Sequence, residues 1–192
     1  MEPLPAASAV LLMGGRSARM GRNKALLRLP NGATLWEHQR RTLESVSPHV
    51  MLSVRGVPEF EIGASECVVD EGEEAGPLGG LRAALLAARF PRLVVLAVDM
   101  PRMSAEFLSG MLRRSNESAG VLPIVDGMAQ PVSAVYPTRI LPLVTGQLRA
   151  RTFGLKALIE AAVRAGMLRK WEVPASDHAL FTNWNTPSDV GI

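Results

Sequence analysis

One cysteine, Cys67, in 192 residues leaves no material for an internal disulfide or a cysteine-rich zinc site. The three histidines, His38, His49 and His178, are scattered, so no transition-metal cluster is visible in the sequence. None of them accompanies a Ser or Cys nucleophile motif, which argues against a hydrolase triad. Aromatic residues make up only 5% of the chain, too few for the stacking platforms that hold single-stranded nucleic acid. A net charge of +3 is compatible with nucleic acid, but the basic residues form no long stripe, and a small anionic substrate explains them equally well. No apolar run approaches the roughly 20 residues that cross a bilayer. The opening MEPLPAASA has neither the basic start nor the long apolar centre of a secretory signal. The expectation is a cytoplasmic protein that binds neither membrane nor nucleic acid.

What is present is the material of a globular core, with 47% hydrophobic and 20% charged residues. Short aliphatic runs alternate with helical patterns. Strands are expected over 9–13, 49–54, 66–70, 93–99, 120–125 and 131–136, and helices over 35–46, 78–88, 105–115 and 154–165. Thr34 and Ser104 stand at N-cap positions, and Glu37 completes a capping box after Thr34. The run LVVLAVD is apolar on both faces, as a central parallel strand covered by helices must be. Alternation of this kind predicts an α/β protein with a parallel or mixed sheet and right-handed crossovers. No linker divides the chain, so residues 1–192 are expected to form one domain behind a loose segment at 1–8.

The richest chemistry lies in residues 10–24, VLLMGGRSARMGRNK, where Arg16, Arg19, Arg22 and Lys24 follow a Gly-Gly pair. The stretch reads either as a solvated turn or as an anion cradle, in which glycines admit a phosphate and the cations neutralise it. In open α/β sheets ligands bind at the carboxyl ends of the strands. Asp70 and Asp99 end the third and fourth predicted strands, and GPLGG at 76–80 opens a helix nearby. Convergence of these clusters on one rim favours the cradle. It is not a Walker A loop, because Ala25 rather than Ser or Thr follows Lys24, and its glycines do not give the dinucleotide pattern.

The stretches LLMGGRSARMGRNKALLRL, LWEHQ, DEGEEAGPLGGL, LAVDMP, QPVSAVYPTRILPL and FTNWNTPSDV, in that order, resemble the molybdenum cofactor guanylyltransferase family. The resemblance runs from about Val10 to Val190. It implies a Rossmann-like three-layer α/β/α sandwich with a mostly parallel central sheet. The implied activity is transfer of GMP from GTP to the terminal phosphate of molybdopterin, with magnesium as cofactor and pyrophosphate released. Transient contact with molybdoenzyme apo-proteins or insertion chaperones would follow. Arg19, Lys24 and Asp99 are the implied catalytic residues. Leu12, Met13, Gly14, Gly15, Lys24, Ser53, Asp70, Gly79 and Asp99 would bind the nucleotide. Asp99 and Asn185 would hold the metal, and Asn183 and Asn185 the acceptor, so Asn185 has two candidate roles.

The chain departs from the family pattern in three places, of which the first two bear on the base. Arg22 and Asn23 fill a shorter gap before Lys24, Ser53 stands where an Asn is usual, and Met13 replaces the usual Ala. The first also resembles the cytidylyltransferases, so CMP transfer from CTP stays open, as does a non-catalytic accessory that carries nucleotide or cofactor. Guanine is preferred because the backbone of Leu12, Met13 and Gly14, with the Ser53 hydroxyl, offers both donors and acceptors. No general base is needed, since a phosphate monoester is already mostly dianionic at neutral pH. Trp36 reads as core. Trp171 and Trp184 could line a pterin pocket, with core packing the better reading for Trp171.

Overall fold

A computed structural model describes residues 3–13, 24–56, 60–63, 65–70 and 75–184. Its strands are β1 (Ser8–Leu12), β2 (His49–Val54), β3 (Glu66–Val69), β4 (Arg92–Ala97), β5 (Gly120–Val125), β6 (Met128–Ala129), β7 (Ser133–Pro137) and β8 (Leu168–Glu172). The helices are α1 (Leu35–Glu44), α2 (Gly76–Ala87), α3 (Ala105–Arg114), α4 (Leu141–Arg149) and α5 (Leu155–Arg164). The strands form one sheet in the order β3-β2-β1-β4-β7-β5-β6, with β8 paired to β5. β3, β2, β1 and β4 are parallel neighbours, and β7 is inserted antiparallel to both β4 and β5.

Strand periodicity sorts the core into two layers. Ala9 and Leu11 of β1, with Val94 and Leu96 of β4, pack toward α1 and α3. Val10 and Leu12, with Leu93 and Val95, pack toward α2, α4 and α5. Successive side chains of one strand thus feed opposite faces, which is why LVVLAV is apolar throughout up to Asp99. The result is the expected three-layer, Rossmann-like α/β/α sandwich with a mostly parallel central sheet.

The chain leaves β1 outward to β2 and β3, then returns through α2 to β4 on the other side of β1. Reversal of direction with one crossover hand puts α1 and α2 on opposite faces and opens a crevice at the carboxyl ends of β1 and β4.

Local signals hold where the sequence was explicit. The Glu37 carboxylate accepts from the Thr34 amide at 2.8 Å and its hydroxyl at 2.6 Å, and the Ser104 hydroxyl accepts from Phe107 N at 3.2 Å. Gly76 starts α2 at φ +54°, followed by Pro77. Several boundaries shift. β1 begins at Ser8 and Ala7 is fully buried, so the segment expected to be loose is tied down by residue 7. β4 ends at Ala97, which leaves Asp99 in the following turn rather than on the strand.

Candidate active site

Lys24 opens a 3-10 turn, Lys24–Leu26, whose Ala25 is fully buried. That turn is stitched to the start of α1: Leu35 N donates to Leu27 O at 2.8 Å, and Arg28 bridges to Thr34. Across the crevice, Val98 N donates to Leu12 O at 3.2 Å and so carries the β1–β4 pairing one step further, up to Asp99. Lys24 Nζ lies 3.7 Å from Asp99 Oδ2, with the two side chains 21% and 24% exposed. A cation and a carboxylate separated by 75 residues of sequence therefore meet at the switch point of the sheet.

The backbone that carries Asp99 is gripped from two elements. Trp184 N donates to Asp99 O at 2.8 Å. Gln39 Nε2, from α1, donates to Met100 O, and His38 Nε2 donates to Pro101 O at 3.1 Å. Three successive carbonyls are each held by a partner distant in sequence. The first of these contacts also delivers the C-terminal stretch, with exposed Asn183, to the rim beside Asp99.

A second polar group stands at the end of β3. Asp70 N donates to Val54 O at 2.9 Å, and the Asp70 carboxylate rests on the first turn of α2. A Cβ on Gly79 would lie 1.7 Å from Asp70 Oδ1, so only glycine leaves room for the carboxylate. Among the described residues that buried oxygen has no hydrogen-bond partner. Burial pushes the Asp70 carboxyl above the ordinary carboxylate range, and the Arg55 guanidinium pulls it part of the way back.

Two residues expected to touch the base have partners within the sheet. Met13 N donates to Ser53 O at 3.1 Å, so of its backbone groups this amide is already engaged. Ser53 is 5% exposed, and its hydroxyl lies against Gly80, where a Cβ would come within 2.4 Å of it. It is thus withdrawn from the open rim. Gly14, Gly15, Arg19 and Asn185 lie outside the described residues. Trp36 is buried core. Trp171 stacks on Phe107 at a centroid distance of 5.0 Å, with Arg114 over its ring at 4.4 Å, which is a packing role. Trp184 is 7% exposed, so its ring is no open platform for a pterin.

Gln39, His38 and Arg55 have no role assigned from the sequence pattern: LWEHQ is visible as a motif, but its partners are more than sixty residues away. A Ser-His-Glu array is equally hidden in the sequence. Ser8 Oγ accepts from Arg89 N and Phe90 N, so its own proton goes to His49 Nδ1 at 2.9 Å, and His49 Nε2 donates to Glu66 at 3.2 Å. Ser8 is fully buried at the start of β1, so this is a brace at the far end of the sheet and no nucleophile.

Among the described residues no three His, Cys, Asp or Glu side chains converge as a metal cage. A single rim carboxylate such as Asp99 suits magnesium, which needs one or two protein oxygens and takes the rest from phosphates and water.

The description MobA-like NTP transferase domain matches residues 9–166. This chain belongs to that family. As a MobA-like NTP transferase it is an enzyme, and Lys24, Asp70 and the Asp99 turn all fall within the matched span. A molybdenum cofactor guanylyltransferase of Pseudomonas putida is 35% identical over 193 residues, covering 97% of this chain and 96% of that protein. Molybdopterin-guanine dinucleotide biosynthesis protein A from Archaeoglobus fulgidus superposes with a TM-score of 0.79 at 21% identity, over 96% of this chain and 95% of that one. A 2-C-methyl-D-erythritol 4-phosphate cytidylyltransferase of Thermus thermophilus does so at 0.70 and 17%, over 97% and 96%. These two structural likenesses speak for the fold. No helix among the described residues is long and apolar enough to cross a membrane.

Proposed function

We propose that this NTP transferase moves GMP from GTP to the terminal phosphate of molybdopterin in the biosynthesis of the molybdenum cofactor. The observation that carries the reading is the Lys24–Asp99 pair, 3.7 Å apart at the switch point and backed by a pinned turn. An acceptor phosphate oxygen attacks the α-phosphorus in line, the α–β bridging bond breaks, and pyrophosphate leaves. Little covalent chemistry falls to the protein; positioning and charge neutralisation are its contribution. Lys24 and Arg19, with the amides of Gly14 and Gly15, neutralise the triphosphate. Asp99 and Asn185 would hold magnesium, which would offset charge on the phosphate oxygens.

Strands about 4.8 Å apart place β3 roughly 14 Å from β4, across the two strands between them. That separation leaves room for the nucleoside monophosphate part of the donor, with Asp70 and Gly79 at the nucleoside end and Asp99 at the α-phosphate. Asn183 and Asn185 are the proposed acceptor-binding residues. Guanine is favoured over cytosine because the near-full-length relatives at 31–35% identity carry guanylyltransferase names, whereas the cytidylyltransferase likeness is one of fold. The residues 1–192 act as one domain in the cytoplasm, and the product passes to molybdoenzyme apo-proteins or their insertion chaperones.

Pyrophosphate release, measured with molybdopterin and either GTP or CTP, with and without magnesium, tests this. Magnesium-dependent release with a higher kcat/KM for GTP is expected. A higher value with CTP overturns the base assignment, and no release with either overturns the transferase reading of the site.

A further inference from the structure

Gln39 is a polar side chain in an apolar layer. It is fully buried between Trp36 and Leu43 on α1, and among the described residues its Oε1 has no hydrogen-bond partner. A buried unpaired oxygen costs on the order of 1–3 kcal/mol, a cost that an apolar side chain of the same shape avoids. Packing alone therefore does not explain a glutamine here. Its other amide atom, Nε2, donates to Met100 O, the carbonyl next to Asp99. Met100 O also accepts from Met103 N at 3.1 Å, so the glutamine is not needed to keep that carbonyl from being orphaned. What Nε2 adds is a fixed distance between α1 and the turn. His38 adds a second through Pro101 O at 3.1 Å.

The same helix start carries the Lys24 turn, through Leu35 N on Leu27 O and the Arg28–Thr34 bridge. One rigid element thus holds both members of the charge pair.

We infer that Gln39 and His38 are positioning residues that fix the Asp99 carboxylate relative to Lys24 and to the metal–phosphate it receives. The inference rests on the reading of Asp99 as the metal ligand. Neither side chain touches substrate. Outer partners that orient a ligand typically change metal affinity or activity by about 10–100-fold when lost.

The test uses the full chain, with Mn²⁺ as a spectroscopic stand-in for Mg²⁺. Mn²⁺ binding is measured in the presence of GTP and without acceptor, alongside Tm. Gln39→Met is expected to weaken Mn²⁺ binding about tenfold or more while Tm stays level or rises. His38→Leu weakens it in the same sense, and His38→Gln, which keeps a donor near the Nε2 position, restores it to within about threefold. This second pair decides the matter if Gln39→Met does not fold. Asp99→Ala is the control. If Asp99→Ala leaves Mn²⁺ affinity unchanged, the metal reading of Asp99 fails and the inference falls with it. If Asp99→Ala weakens binding but Gln39→Met and His38→Leu do not, or if they lower Tm with Mn²⁺ affinity intact, the positioning role alone is overturned.

Discussion

Gly79 offers a perturbation whose outcome can be worked from distances. An added Cβ would stand 1.7 Å from Asp70 Oδ1, 2.7 Å from its Cγ and 2.9 Å from Ala75 Cβ. The first two contacts are impossible, so in Gly79→Ala the Asp70 carboxylate must swing away. Driving a side chain off its rotamer costs about 0.5–1.5 kcal/mol. Replacing glycine by alanine inside α2 returns about 1 kcal/mol of helix propensity. The two nearly cancel, and Tm is expected to stay within about 3 °C of the parent for a chain of this size. GTP affinity should not survive as well. Loss of the carboxylate from the nucleoside end is expected to weaken binding at least tenfold, or about 1.4 kcal/mol, by isothermal calorimetry. The decisive arm is the same substitution in an Asp70→Ala background, where the carboxylate is gone and only the 2.9 Å contact with Ala75 Cβ remains to be relieved. There Gly79→Ala should leave GTP affinity unchanged. Equal losses of affinity in both backgrounds would refute the argument that Gly79 acts through Asp70, and parental affinity in the single variant would remove Asp70 from the nucleotide site.

Asp99→Ala is expected to abolish pyrophosphate release with a small change in Tm, because a partly exposed ion pair contributes about 0–1 kcal/mol to folding; near-normal magnesium-dependent turnover would overturn its role. Lys24→Ala should weaken GTP binding by an amount that shrinks as salt rises, since screening acts on partly exposed charges, and affinity matching the parent at low ionic strength would count against the cradle. Asp70 carries a pH signature. Burial raises its pKa in the folded state, so its contribution to stability is full below the ordinary carboxylate pKa and is lost as pH rises through the raised value. The Tm advantage of Asp70→Asn should therefore be absent near about pH 4 and grow toward neutrality; an advantage largest in acid would contradict the burial argument.

How legible these features were depends on where their causes lie. β4 could be read because both faces of LVVLAVD are buried, and α1 and α3 because their caps are encoded within three residues. β8 could not: LRKWE keeps only Leu168 buried and gains its place by pairing with β5 at the margin of the sheet. In α4, Pro142 and Gly146 dilute the helical pattern and only Val144 is fully buried. The antiparallel direction of β7 is likewise invisible, because its five residues would be buried in either orientation. At the candidate site, Asp70 and Asp99 could be picked out because each follows a strand at the carboxyl edge of the sheet, and Lys24 because it follows the Gly-Gly stretch in sequence. Gln39 was not, since its value lies in a carbonyl contributed 61 residues later.

Because β7 runs against β4, with Ser133 opposite Leu96, the chain approaching the Asp99 turn from that side arrives ahead of its strand. The all-parallel strands β1 to β4 bring their trailing ends to the rim; β7 brings its leading end, the stretch around Gln130 and Pro131. The antiparallel seam therefore divides the sheet into a parallel part, β3-β2-β1-β4, and a mixed part, β7-β5-β6 with β8. Asp70 and the Asp99 turn both follow strands of the parallel part. The connections bordering the mixed part can lengthen or change without disturbing a parallel crossover.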